Sequence, residues 1–146
     1  MKSVFGGSAV ALVLSISTSG AAQTPQKSIV QERDLPPYSP PGHSDTVNRR
    51  LVGGDFAGTF ELIHGTIAPG GEAEAHSHER EHQVVYILSG DAQVTLGTGQ
   101  PTTCRNGDVV RIPPGLLHRV VNTGSVPLEL IIVYSPPLPP SVAQRR

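Results

Sequence analysis

Tryptophan is absent from this 146-residue chain, and Phe and Tyr supply three residues each. A core must therefore rest on Val, Ile and Leu, which suits β-structure. No lysine follows Lys27, so Schiff-base catalysis from a folded domain is excluded. The single cysteine, Cys104, rules out an intramolecular disulfide framework and any Cys-rich zinc site. A lone Cys is most often a small buried apolar residue, and we assign Cys104 no role. Eleven Lys and Arg against twelve Asp and Glu leave a net charge of −1. With no basic cluster to neutralise phosphates, nucleic acid is a poor partner. What the chain has in quantity is Gly (16) and Pro (14), which argues against a helical bundle or coiled coil. The length fits one domain.

Met1 and Lys2 precede an apolar run from Val4 to Ile16, followed by small residues from Ser17 to Ala22. The run is too short to span a bilayer, and the pattern reads as a secretory signal peptide over 1–22. A periplasmic or secreted protein with no membrane contact after cleavage is expected. Residues 23–46 are polar and Pro-rich (Pro36, Pro37, Pro40, Pro41) and read as a linker, or an arm lying on the domain. Residues 137–146 form a Pro-rich tail. Between them, 47–136 is small for one core, so a homodimer is expected.

This middle section is punctuated by turn signals: Pro69-Gly70-Gly71, Gly90, Gly97 with Gly99, Pro113-Pro114-Gly115 and Asn122-Thr123-Gly124. The segments between them are short and rich in β-branched residues. Seven or so strands without helical periodicity predict an all-β domain, a small antiparallel barrel or sandwich. A strand is expected to end at Pro69-Gly70-Gly71, with another from Glu72 to His78.

The histidines carry the chemistry. His76-Ser77-His78 places two imidazoles on one face of a strand, half of a metal site, and His118 on a later strand could add a third. The surrounding residues are more specific. Gly70 is followed by His76-x-His78, Gln83 and Gly90, and then by Gly107, Pro113-x-Gly115, His118 and Asn122. Over roughly residues 50–135 this pattern resembles the two motifs of the cupin superfamily, with nine landmark residues in register. The family's usual Glu ligand is Gln83 here. The resemblance implies a cupin-like β-barrel or jelly roll holding one divalent metal ion in its mouth, with His76, His78 and His118 as ligands. The fourth ligand is Gln83, counting back from Gly90, or His82, counting a shorter spacer forward from His78. Neighbouring strand residues face opposite sides, so the two are alternatives. If Gln83 faces inward, Val84, Tyr86 and Leu88 form an outward stripe with His82. Neutral ligands leave the ion's charge uncompensated. Imidazole and amide oxygen suit Fe, Mn, Ni, Zn or Cu.

No catalytic residue stands out. Glu79, Arg80 and Glu81 lie in a charged turn after the histidines, and His82 or Glu81 could carry a proton. Arg111 could grip a substrate carboxylate in the barrel or pair across a dimer interface. Alternation puts Glu72 and Glu74 on the face of the histidines, as hydrogen-bond acceptors or in solvent. His64 reads as a core or rim residue. Tyr86 is on the outer face if Gln83 faces in. The implied function is a metal-dependent enzyme, an oxidoreductase such as a dioxygenase, or a lyase or isomerase, acting on a small chelating molecule. The competing reading is a non-catalytic module that binds a sugar or organic acid.

Overall fold

The computed structural model describes residues 28–139, so the expected signal peptide and the end of the tail lie outside the described residues. A 3-10 turn at Glu32–Asp34 precedes β1 (Pro37–Tyr38) and β2 (His43–Val52). One helical turn, α1 (Gly54–Ala57), leads into β3 (Glu61–His76), the longest strand. There follow β4 (His82–Ser89), β5 (Ala92–Leu96), β6 (Thr102–Cys104), β7 (Val109–Ile112), β8 (His118–Asn122) and β9 (Leu128–Ser135). Every pairing is antiparallel, in the order β6-β5-β8-β3-β9-β4-β7, with β2 on the other edge of β3 and β1 beyond it. The architecture is the expected all-β curled sheet of a jelly roll.

Strand β3 joins the two halves. Residues 61–67 pair with β9, whereas Glu72, Ala73 and His76 pair with β8. The expected break at Pro69-Gly70-Gly71 is therefore a bend within one strand. Gly70 takes a φ of +79°, which a side chain would strain. The segment anticipated as linker or arm also joins the sheet. Pro37 and Tyr38 pair with Arg49 and Asn48, and β2 starts at His43, opposite Ala73. Its prolines precede β2 and so remove no hydrogen bond from the β2–β3 ladder.

The core follows from alternation. In β9, Leu128, Leu130, Ile132 and Tyr134 are buried, and in β4 Gln83, Val85 and Ile87 are. Registration puts these residues in rows: Gln83 opposite Tyr134, and Tyr134 opposite Glu61. One end of the inner face is therefore polar. The adjoining row, Val85, Ile132 and Ile63, is apolar. Burial of such aliphatic side chains contributes about 1.5–3 kcal/mol each. Cys104 is half-buried against this core. Val84, Tyr86 and Leu88 are exposed on the outer face, as the inward reading of Gln83 required.

Candidate metal centre

Two strand ends and one loop converge at the polar end of the barrel. His76 closes β3, His118 opens β8, and the two are direct partners in the ladder. Their ring centroids lie 4.3 Å apart. His78 follows in the loop, where its backbone carbonyl accepts a 2.7 Å hydrogen bond from Gly115 N–H. The Pro113-Pro114-Gly115 turn thereby holds His78 beside His118, their centroids 5.4 Å apart. One ring nitrogen from each of the three histidines lies within 4.8 Å of the others, the one such cluster of His, Cys, Asp or Glu among the described residues.

The proton positions follow from the partners. A carbonyl only accepts, so His76 Nδ1–H donates to Glu74 O (2.7 Å) and His118 Nδ1–H donates to Leu116 O (2.9 Å). In the neutral rings Nε2 is then the free acceptor, the arrangement typical of ligating histidines. Burial, with the neighbouring histidines His76, His118 and His43, pushes the His78 ring down to about 4. Burial also lowers His118. Uncharged imidazoles suit a cation. Nε2 of His78 and of His118 are buried without a hydrogen-bond partner, a costly state unless something accepts their lone pairs. The donor set fits a divalent transition metal.

Gln83 shares the cavity with these rings. Its Nε2–H donates to the Tyr134 hydroxyl at 3.1 Å, and the Tyr134 ring stands edge-on to His78 with centroids 5.0 Å apart. With the amide nitrogen so engaged, Gln83 Oε1 is left buried and unpartnered, like the two imidazole nitrogens. The alternative, His82, is exposed on the opposite face of β4 and is absent from the cavity wall, because adjacent residues alternate.

The weaker candidates fall elsewhere. Arg111 pairs with Val84 and is exposed on the outer face, so it does not enter the barrel. Glu81 is buried but lies outside the cavity wall; its Oε2 accepts from Arg80 N–H at 3.3 Å. Glu79 and Arg80 are exposed. Glu72 binds Arg119 at 2.5 Å instead of the histidines. The reason is a register shift between Ala73 and His76, which breaks simple alternation and turns Ala73 toward the cavity. Glu74 contributes its backbone carbonyl in place of its carboxylate. His64, expected in the core or at the rim, is half-buried on the other face of β3 and absent from the cavity wall, with Nδ1 2.6 Å from Glu32 and Nε2 2.8 Å from Glu129.

The sequence reading missed two residues of the site. His43, on β2, lies in the cavity wall with its ring 5.5 Å from that of His76. Its Nδ1–H donates to Pro41 O at 2.9 Å, and burial lowers its pKa. Tyr134 was hidden in the apolar strand β9. The period-two pattern Leu128, Leu130, Ile132, Tyr134 could have placed it inside. The cavity itself measures about 290 Å³, and both Pro-rich ends contribute to its lining, through Pro40 and Pro41 and through Leu138.

Comparison with known proteins agrees with this architecture. Residues 63–134 match the cupin domain. The alginate biosynthesis protein AlgA of Pseudomonas aeruginosa is 36% identical over 100 residues, covering 67% of this chain. The matched region is only 19% of AlgA, so this chain spans about a fifth of that relative. A predicted oxalate decarboxylase from Thermotoga maritima superposes with a TM-score of 0.67 at 23% identity, covering 73% of this chain and 97% of that one. The polyketide cyclase RemF from Streptomyces resistomycificus gives a TM-score of 0.65 at 25% identity, covering 77% of this chain and 83% of that one. The matched domain, the antiparallel barrel and these neighbours together show that this chain carries a cupin domain over residues 63–134.

Proposed function

We propose that this protein is a metal-dependent enzyme acting on a small molecule that chelates through adjacent oxygens. The observation that carries the reading is the convergence of buried, unpartnered polar atoms, Nε2 of His78 and His118 and Oε1 of Gln83, in one cavity with His76. In this reading His76, His78, His118 and Gln83 hold one divalent ion, Fe, Mn, Ni, Zn or Cu. When bound, the ion supplies a Lewis acid whose charge the neutral ligands leave uncompensated.

The chain's own residues prepare the rest. Glu74 O and Leu116 O hold the tautomers of His76 and His118, and Tyr134 turns Gln83 Oε1 away from its own hydroxyl. The buried aliphatic row Ile63, Val85 and Ile132 adjoins the histidine end and lines the rest of the cavity. His43, adjacent to His76, is assigned to hydrogen-bonding the substrate. The names of the structural neighbours, a polyketide cyclase and a predicted oxalate decarboxylase, support chemistry on oxygen-bearing carbon compounds without choosing the reaction. We also propose export with removal of residues 1–22, which the mass of the mature protein checks.

The test is a turnover screen of hydroxy acids, diketones, catechols and sugar acids with Fe-, Mn-, Ni- and Zn-loaded protein. Turnover by at least one form is expected. Activity restricted to iron and oxygen assigns a dioxygenase; activity with zinc or manganese under nitrogen assigns a lyase or isomerase. Binding by every loaded form without turnover by any makes the protein a non-catalytic binding module and refutes the proposal.

A further inference from the structure

The cavity wall is unusual for a site that would take an acid or a sugar. None of its described residues is Lys, Arg, Asp or Glu. A substrate carboxylate placed away from the histidines would meet no cation, and an unpaired buried charge is costly. The floor is built from Ile63, Ile67, Val85, Val120, Leu130 and Ile132, all buried.

Beyond His76, His78, His118 and Gln83, the polar side chains of the wall are Tyr38, His43, Thr46, Asn48, Ser77 and Tyr134, and part of their capacity is already used. The Thr46 hydroxyl donates to Ser44 O and keeps only acceptor capacity, and the Tyr134 hydroxyl accepts from Gln83 and keeps its O–H to donate. On the β2 side, Asn48 Oδ1 is a buried acceptor without a partner. It leans over Gly65, where a Cβ would come within 2.9 Å of it. A polyol would bury several hydroxyls against the aliphatic floor and satisfy few of them, each unmet one costing about 1–3 kcal/mol. Size points the same way. A cavity of roughly 150 Å³ admits benzene, so about 290 Å³ holds one substituted ring.

We propose that the cavity takes a hydrocarbon-bodied dioxygen compound, a single ring or compact chain with two adjacent oxygens at the histidine end and an apolar body on the aliphatic floor. Sugar acids and other polyols are rejected. The proposal rests on the metal reading for the oxygen end but on the walls alone for the hydrocarbon end. The two can therefore fail separately.

The experiment is calorimetry under nitrogen on zinc-loaded protein, where catechols are not oxidised, with catechol, 4-methylcatechol, 4-tert-butylcatechol and galacturonate. Affinity rises along the catechol series by up to about fourfold per added carbon. Galacturonate binds at least about 100-fold more weakly than 4-tert-butylcatechol. A second arm uses metal-free protein and 4-tert-butylphenol, which cannot chelate; it is still retained over galacturonate, because the floor acts without the ion. Galacturonate binding as well as the alkylcatechols, or no gain along the series, overturns this inference while leaving a bound zinc ion in place. A chain that takes up no zinc yet retains the alkylphenol preference overturns the metal reading and supports the apolar floor.

Discussion

Replacing Tyr134 by Phe removes one oxygen from a fully enclosed place and tests how Gln83 is held. The Tyr134 hydroxyl is the hydrogen-bond partner of Gln83 Nε2 (3.1 Å), and both residues are buried, at 7% and 5% exposure. In Tyr134→Phe the amide nitrogen loses its partner while Oε1 remains without one. Leaving a buried donor unmet costs about 1–3 kcal/mol, so denaturation of the metal-free variant should show a loss of that size. The freed amide can also rotate its nitrogen toward the histidines. Loss of groups that orient metal ligands typically weakens binding about 10–100-fold, and a competition titration with a chelator should return a value in that range. Gln83→Met alone and combined with Tyr134→Phe completes the cycle: once Gln83 is gone, the Tyr134 change should have little further effect on metal affinity. If Tyr134→Phe binds metal as wild type does, or weakens binding equally with and without Gln83, the positioning argument is wrong.

Gly65→Ala would place a Cβ 2.9 Å from Asn48 Oδ1 and 3.1 Å from Ile132 Cδ1; overpacking should lower stability by about 1–3 kcal/mol, and wild-type stability on denaturation would refute the close approach. The metal-free protein should lose stability as pH falls. His78 is neutral in both folded and unfolded chains above about 6.5, but below that the unfolded ring takes a proton that the folded ring, titrating at about 4, refuses. Unfolding curves between pH 7 and 4 should show this fall, and His78→Asn should flatten it; an identical fall in the variant would assign it elsewhere. Sedimentation should return a homodimer, because Val84, Tyr86 and Leu88 form an exposed apolar stripe on one face. Tyr86→Glu should shift it to monomer, whereas a monomeric wild type would refute the interface.

Local spacing made the barrel and its histidine cluster legible. His76-x-His78 and His118 lie in motifs whose Gly and Pro residues set the turns, and the fold brings those three rings together. The inward face of Gln83 and the outward stripe followed from strand alternation counted from Gly90. What escaped depends on long-range pairing. β2 is masked by the prolines before it, and only its register opposite Ala73 brings His43 to the cavity. The placement of Glu72 failed because a bulge before His76 changes the face presented, and alternation cannot reveal a bulge in advance. Arg111 shares the outer face of Val84, so a polar residue in an apolar strand marked that strand's solvent side and not its pocket.

Metal content per chain, measured by elemental analysis after reconstitution with a divalent transition metal and removal of excess, tests the central claim most directly. The account predicts one ion per chain in the wild type and none retained in a folded His118→Ala variant, whose β-sheet circular dichroism is unchanged. A folded wild type that retains no ion, or a His118→Ala variant that retains a full equivalent, would contradict it.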